Sequence, residues 1–188
     1  MAPNVGVLAL QGDFAAHRRA LEGLGAAVRE VRAPADLRGL GGLVIPGGET
    51  TTMARGVERE GLAGPLRAFA ASGAPILGTC AGLIMVDRDH LGIMDIRAER
   101  NAFGRQIRSF ECDLEIAELG LEPLRAVFIR APWIAAYGPD VEILASVDGH
   151  PVLAREGAVL VAAFHPELSG ERRLHRLFLD MARSGAPA

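Results

Sequence analysis

The sequence predicts an α/β fold: a single three-layer domain in which helices flank a mostly parallel central sheet, with an antiparallel extension late in the chain. Short, continuously apolar stretches alternate with helix-like stretches in the first half of the 188 residues. Continuous apolar runs are typical of parallel strands buried on both faces. Between residues 92 and 147, strand-like patterns follow one another with little helical periodicity, which favours antiparallel pairing. No linker or repeat interrupts the sequence, so we expect one domain over residues 1–188.

The first half of the chain alternates strands and helices in order. Residues 5–10 are continuously apolar and predict the first strand. Asp13 can then cap a helix whose apolar residues recur at helical spacing. Further strands are predicted at residues 27–31, 43–45 and 75–79, and further helices at residues 50–59, 62–71 and 81–86.

The second half of the chain is richer in strands. Residues 110–116 alternate apolar and polar side chains, as a half-exposed antiparallel strand does. Residues 127–130 and 159–164 predict two more strands, the second of which is continuously apolar. A last helix is predicted from an apolar stripe and from Ser169, which is available near its start. The stripe consists of Leu174, Leu177, Phe178 and Met181.

Composition limits the classes of function. A net charge of -3 provides no basic surface for nucleic acid, and no apolar run is long enough to cross a bilayer. All 20 basic residues are arginine, which excludes a lysine imine or a phosphate-loop lysine in this chain. Two cysteines, Cys80 and Cys112, do not make a disulfide framework. Since the first residues lack a signal-peptide pattern, we expect a cytoplasmic protein with free thiols.

The segment Gly78-Thr79-Cys80-Ala81-Gly82 has the form of a nucleophile elbow, a sharp strand-to-helix turn that presents a reactive side chain. Cys80 would lie at a helix N-terminus, where the helix dipole and free backbone N–H groups favour a thiolate. Cysteine is also among the most frequently buried residues, and glycine-rich turns are common. Taken alone, the segment therefore leaves a structural role open.

A second segment supplies the partners that a catalytic cysteine needs. His165 and Glu167 end a later apolar run, and residues i and i+2 of a strand point to the same side. His165 would exchange protons with Cys80 and the leaving group, while Glu167 would hold the imidazole tautomer. The alternatives are a surface carboxylate beside a strand-end histidine, or a metal site. The metal site is disfavoured because the zinc-deaminase pattern is absent.

Acyl transfer also requires donors for the developing oxyanion. The turn at Gly47 and Gly48 follows a predicted strand and precedes a predicted helix, and either glycine can offer a backbone N–H. Ala81, directly after the nucleophile, can offer another. Because the carboxyl ends of parallel strands meet at one edge of a sheet, we expect these donors beside Cys80 and His165.

These motifs resemble those of the triad-type glutamine amidotransferases, whose fold is flavodoxin-like, and in particular the glutaminase subunits of pyridoxal 5′-phosphate synthase. The matching segments are residues 6–12, 47–53, 78–84, 99–106 and 128–132. The resemblance implies hydrolysis of L-glutamine to L-glutamate and ammonia without a cofactor or metal. It also implies that the ammonia passes to a separate barrel-shaped synthase subunit, which builds the pyridoxal phosphate ring from sugar phosphates.

The same resemblance assigns site residues by position. Cys80 is the expected nucleophile, and His165 and Glu167 complete the triad. Gln11 matches a loop residue that supports the oxyanion hole and lies near the synthase contact. The glutamine-binding positions are Gly48, Glu49, Thr50, Arg100, Ile129 and Arg130. An arginine suits the substrate carboxylate because its planar fork donates two parallel hydrogen bonds, although the residues alone do not distinguish Arg100 and Arg130 from Arg105 or Arg108.

Three features depart from the family pattern: residues 85–90 form a shorter segment than usual, Trp133 replaces a common histidine, and Thr50 replaces the usual serine. Outside the motifs, Cys112 is expected to be structural, and His17 to be packed or to face the partner. The sequence assigns no role to His90, His150 and His175.

Two other classes of function compete with the glutaminase. A cysteine peptidase or γ-glutamyl hydrolase that acts alone would use the same scaffold, and a non-catalytic binding module would retain only its shape. The segments around Arg100 and Arg130 favour an amino-acid site over an open peptide groove. The intact set of Cys80, His165 and Glu167 disfavours the binding module.

Overall fold

A seven-stranded sheet forms the centre of the computed structural model, which describes residues 2–100 and 109–184. The strands of the described residues are β1 (Asn4–Leu8), β2 (Ala27–Val31), β3 (Leu43–Ile45), β4 (Ile76–Thr79), β5 (Ile96–Glu99), β6 (Ser109–Leu114), β7 (Leu124–Ile129), β8 (Trp133–Tyr137), β9 (Glu142–Val147), β10 (His150–Glu156) and β11 (Val159–Ala162). The helices are α1 (Phe14–Glu22), α2 (Thr50–Arg59), α3 (Ala63–Ala71), α4 (Ala81–Val86) and α5 (Arg173–Ser184).

The strand order of the central sheet is β2-β1-β3-β4-β11-β10-β9. The first five strands in this order are parallel, and β10 and β9 add antiparallel pairs at one side. The predicted α/β class with a mostly parallel sheet is therefore confirmed. The order places β4 between β3 and β11, so that the loops after these three strands meet at one edge of the sheet.

The antiparallel part is more divided than the sequence predicts. Only β9 and β10 join the central sheet, while β5 pairs with β8 and β6 pairs with β7 in separate two-stranded sheets. Alternating polarity identifies a half-exposed strand but carries no information about its partner, because pairing is a long-range property.

The central strands are buried on both faces, as their continuous apolar sequences require. Val44 on β3, Leu77 on β4 and Leu160 on β11 have no exposed surface. Buried residues of the strands and helices form one hydrophobic cluster; a single domain over residues 1–188 stays a prediction. No helix within the described ranges has the length and apolar character needed to cross a membrane.

Two predictions for the end of the chain are wrong in detail. The buried face of α5 includes His175, Leu179 and Ala182, whereas Leu177 and Met181 are only partly buried. The buried face of the helix is therefore rotated from the predicted stripe toward the side that carries His175, Leu179 and Ala182. Ser169 does not cap α5, because its hydroxyl lies in the preceding turn, where it accepts from the backbone N–H of Glu171 at 3.4 Å.

Candidate active site

Cys80 lies at the junction of β4 and α4 in a strained backbone conformation, with φ 48° and ψ -103°. A non-glycine residue adopts positive φ rarely, and such strain is concentrated at functional sites. The flanking glycines permit the turn. A side chain at Gly78 would lie 2.8 Å from the carbonyl oxygen of Gly82, and one at Gly82 would collide with the carbonyl oxygen of Ile45. The predicted elbow is therefore present.

His165 and Glu167 lie in a turn that follows β11. The Nδ1 atom of His165 lies 2.7 Å from Oε1 of Glu167, and the backbone N–H of His165 donates to the carbonyl of Val127 at 2.8 Å. The strand ends at Ala162, so the strand alternation from which we expected the pairing is wrong. A turn, closed by the N–H of Leu168 donating to the carbonyl of His165 at 3.2 Å, brings the two side chains together instead.

The electrostatics of these side chains favour a protonated imidazole. Burial alone would lower the pKa of His165, but its interactions with the side chains of Cys80 and Glu167 outweigh burial and raise the pKa to about 10. The side chain of Glu167 has no exposed surface, and that of His165 is 13% exposed. Near neutral pH, an imidazolium held by a buried carboxylate therefore faces the Cys80 sulfur, which is the arrangement that stabilises a thiolate.

A cavity of about 280 Å³ opens in front of Cys80. Its walls come from the loop after β3, the start of α4, and the segments after β5, β7 and β11. The lining residues are Gly48, Glu49, Thr50, Cys80, Ala81, Ile84, Arg100, Ile129, Arg130, Pro132 and His165. The structure thus places all six predicted glutamine-binding residues around one cavity with the predicted nucleophile and base.

Glu49 has a structural role in addition to lining the cavity. Its carboxylate caps α2, accepting from the backbone N–H of Thr51 at 3.0 Å and of Thr52 at 2.7 Å. The hydroxyl of Thr52 and these N–H groups lower the pKa of Glu49 to about 2. The cap therefore keeps a negative charge at the rim of the cavity over the whole neutral range.

Two of the predicted oxyanion donors, Gly47 and Ala81, lie beside Cys80. A side chain at Gly47 would lie 2.6 Å from Cε1 of His165 and 3.3 Å from Cβ of Cys80, so only glycine allows this approach. Ala81 is the first residue of α4, where a backbone N–H has no partner within its own helix. The Oε1 atom of Gln11 accepts from the backbone N–H of Glu49 at 3.0 Å. This bond holds the loop that carries Gly47 and Gly48, called the glycine loop below.

A buried carboxylate that sequence reasoning missed supports Arg100. Asp87 is 1% exposed, and its Oδ1 lies 2.8 Å from Nδ1 of His90. The Nε2 atom of His90 lies 3.3 Å from a guanidinium nitrogen of Arg100. Asp87 thereby fixes the His90 tautomer so that Nε2 can accept from Arg100. The short segment 85–90 contains both supporting residues, although its local sequence carries no signal for this contact.

Within the described ranges, the remaining candidate residues do not line the cavity. Cys112 is half-buried, and burial, together with the neighbouring Asp113, raises the pKa of its thiol; this fits a structural role. His150 stacks on Trp133 with ring centroids 3.5 Å apart. His17 is packed, as expected, and it contacts His175 behind the triad. Arg105 and Arg108, with most of the matching segment 99–106, lie outside the described residues.

The described residues contain no group of three or more histidine, cysteine, aspartate or glutamate side chains placed to hold a metal ion. The imidazole of His165, which interacts with Cys80, is paired instead with the carboxylate of Glu167.

The chain is similar to known proteins over most of its length. The model of the SNO glutamine amidotransferase family matches residues 7–184. The chain is 52% identical over 189 residues to pyridoxal 5′-phosphate synthase subunit PdxT of Clavibacter michiganensis subsp. michiganensis, covering 95% of this chain and 90% of the relative. It is 49% identical to the protein of the same name from Mycobacteroides abscessus, and the match covers 98% of this chain and 100% of the relative. It is 52% identical to that of Deinococcus radiodurans, and the match covers 95% of this chain and 97% of the relative.

Solved structures are similar over nearly the whole fold. A crystal structure described as a glutamine amidotransferase superposes with a TM-score of 0.88 at 45% identity and covers 95% of this chain and 98% of its own. The structure of PurLQS from Thermotoga maritima has a TM-score of 0.74 at 17% identity, covering 96% and 99% of the two chains. At that identity, the second comparison concerns the fold alone.

Proposed function

The chain belongs to the SNO glutamine amidotransferase family, and we propose that Cys80, His165 and Glu167 carry out its hydrolysis of L-glutamine to L-glutamate and ammonia. It is an enzyme, the glutaminase subunit of a pyridoxal 5′-phosphate synthase, as relatives 49% and 52% identical over most of the chain indicate. The observation that supports the catalytic residues is a strained Cys80 facing an imidazole whose Nδ1 is held by a buried carboxylate.

The cavity supplies the groups that would hold glutamine. Arg100 and Arg130 line it and offer guanidinium donors for the α-carboxylate. Glu49 provides the negative charge that would attract the α-ammonium group. Gly48, Thr50 and Ile129 complete the walls. Held in this way, the substrate would place its side-chain amide against the Cys80 sulfur.

Acylation would begin when the Cys80 thiolate attacks the amide carbon of glutamine. The negative charge that develops on the carbonyl oxygen would be stabilised by the backbone N–H of Ala81 and one from Gly47 or Gly48, with Gln11 holding that loop. The His165 imidazolium would donate its proton to the amide nitrogen as the carbon–nitrogen bond breaks. Ammonia leaves, and a thioester between Cys80 and the glutamyl group remains.

Deacylation would use the same groups in reverse. His165, now neutral, would take a proton from a water molecule that attacks the thioester carbon. The carbon–sulfur bond breaks, glutamate leaves, and the thiolate and imidazolium are restored. Glu167 would keep its hydrogen bond to Nδ1 of His165 and hold the imidazole in the tautomer that each step needs.

The ammonia would pass to a synthase subunit, which we propose to be barrel-shaped. The chain itself contains no lysine, so imine chemistry on sugar phosphates must take place in that partner. A cytoplasmic location remains a prediction, and the free thiols of Cys80 and Cys112 support it.

The experiment measures glutamate release from glutamine, with and without the synthase subunit, for the wild type, Cys80→Ala and the matched control Cys112→Ala. We expect low activity alone, stimulation by the partner, near-complete loss in Cys80→Ala and little change in Cys112→Ala. Equal activity in Cys80→Ala would refute the nucleophile assignment. Cleavage of γ-glutamyl peptides with glutamine left intact would instead establish a hydrolase that acts alone.

A further inference from the structure

A buried polar cluster lies directly behind the triad carboxylate. It consists of His17 on α1, Thr79 at the end of β4, His175 on α5, and Glu167. None of these side chains has exposed surface. Burying two imidazoles and a carboxylate beneath an active site is unfavourable unless they form hydrogen bonds with one another.

The cluster continues the hydrogen-bonded chain of the triad into the core. The Nε2 atom of His175 lies 2.9 Å from Nδ1 of His17. The Nε2 atom of His17 lies 3.1 Å from Oγ1 of Thr79 and 3.3 Å from Oε2 of Glu167. The other oxygen of Glu167 contacts His165. Two imidazoles therefore flank the carboxylate, one on each oxygen.

The protonation of His17 follows from its surroundings. Burial, together with His175 and His165, lowers the pKa of His17 well below its usual value, so the ring is neutral and carries one N–H. A bare Nε2 would face a carboxylate oxygen at 3.3 Å, two lone pairs that repel. The proton therefore belongs on Nε2, and Nδ1 accepts from His175.

His175 is consistent with this arrangement. Burial and the nearby Arg172 lower its pKa to about 4, so it too is neutral. If Nε2 carries its proton, Nδ1 is a bare acceptor, and within the described residues Nδ1 indeed has no hydrogen-bond partner. An unpartnered N–H donor buried at this position would be the costlier state.

One oxygen of the Glu167 carboxylate lacks a hydrogen-bond donor among the described residues. Its Oε2 is buried and has no partner of normal hydrogen-bond geometry among the described residues, because the His17 N–H is directed at Thr79. A small rotation of the ring would share that N–H with Oε2, which is already at 3.3 Å. An ionised, buried carboxylate gains most from such a donor.

We propose that His17 is a positioning residue for the triad: its Nε2–H, shared between Thr79 and Glu167, holds the carboxylate and directs Oε1 at His165, while His175 fixes the His17 tautomer. The inference rests on the proposed triad. The titratable and charged groups that face His17 are His175 from α5 and Glu167 and His165 from the turn after β11, and Arg172 acts on His175.

Two substitutions test the two ring nitrogens of His17 separately. The amide of His17→Gln can reach the Nε2 position and donate to Glu167, whereas the shorter His17→Asn retains a partner for His175 but supplies no donor at Nε2. Both variants are neutral and polar. Leu21→Val, on the same helix and fully buried, controls for loss of packing. All are made with Cys112→Ser so that Cys80 is the only thiol.

The first readout is the rate of Cys80 alkylation by iodoacetamide as a function of pH, which requires neither glutamine nor partner. In His17→Asn we expect the profile to move upward, so that the alkylation rate measured on its rising limb falls about tenfold. His17→Gln should recover most of the rate, and Leu21→Val should match the parent. An unchanged profile in a folded His17→Asn would overturn the proposal.

The second readout is glutamine hydrolysis with the synthase subunit present. We expect His17→Asn to lower kcat about tenfold with KM changed less than twofold, since the ring does not line the substrate cavity. Equal losses in His17→Asn and Leu21→Val would reduce His17 to a packing residue and overturn the proposal. If wild type does not hydrolyse glutamine while the alkylation shift persists, the proposed function fails and the positioning role stands.

Discussion

The carbonyl oxygen of Ile45 occupies the space that a side chain at Gly82 would need. The end of β3 thus packs directly on the first turn of α4, and this contact holds the helix N-terminus under Cys80. We expect Gly82→Ala to displace that turn and to lower the free energy of unfolding by about 1–3 kcal/mol, with most glutaminase activity lost. Urea denaturation and glutamate release would measure both effects.

The matched control for Gly82 is Gly64→Ala in α3, where an added methyl group meets no atom within 4 Å. Because alanine is the better helix former, this variant should gain about 0.5–1 kcal/mol of stability. A loss of similar size in both variants would mean that the Ile45 contact is not responsible.

His165 should titrate far above an ordinary histidine. Its interactions with Cys80 and Glu167 outweigh burial and raise its pKa to about 10. NMR of the histidine rings should therefore show one imidazole that keeps its proton until about pH 10. Cys80→Ala removes one of the two partners and should move this midpoint downward, whereas Cys112→Ala should leave it in place. A His165 ring that titrates near 6.5 in the wild type would contradict the charge state assigned to the site.

Glu49 should make the stability of α2 depend on acid pH. Its folded pKa of about 2 lies below the ordinary 4.5, so the ionised cap stabilises the fold above pH 4.5, and this contribution is lost as pH falls from 4.5 toward 2. Glu49→Gln should therefore be less stable than wild type at pH 7, and the difference should shrink toward pH 2. Glu58→Gln, near the other end of the same helix, provides the control. Denaturation at several pH values distinguishes them.

His90 should affect glutamine binding and not the chemical step. Its Nε2 accepts from Arg100, which lines the cavity. Losing one such hydrogen bond, worth about 1 kcal/mol, should raise KM about fivefold in His90→Ala with kcat nearly unchanged. Asp89→Asn, an exposed neighbour that pairs with Arg97 at 3.4 Å, should leave both constants at wild-type values. A kcat effect alone would remove His90 from the binding site.

Gln11 should act through the glycine loop. Its Oε1 is the acceptor for the backbone N–H of Glu49, so Gln11→Met should free the loop that carries Gly47 and Gly48. We expect kcat to fall about tenfold as the oxyanion donors lose their alignment, while Cys80 alkylation stays unchanged because the sulfur and His165 are not touched. Steady-state kinetics and iodoacetamide labelling would test this pair of outcomes.

Much of the site could be predicted from local sequence. The elbow around Cys80 and the glycine turn at Gly47 are short-range patterns, because strained turns restrict which residues fit. Pairing of His165 with Glu167 was predicted for the wrong reason: a turn, and not a strand, joins them. The contacts of His90 with Arg100 and of His17 with His175 were missed, since 10 and 158 residues separate the partners in the two pairs.

By itself the sequence determined the α/β class, the order of most elements, the strained cysteine turn and the identity of the family, because each depends on side chains close together in the chain. Only the tertiary structure decided which strands pair, how α5 is rotated, and that two buried histidines stand behind Glu167. The physical reason is that packing and burial depend on residues distant in the chain. The local sequence around a histidine on an apolar helix face is the same whether the ring packs against a leucine or contacts a carboxylate.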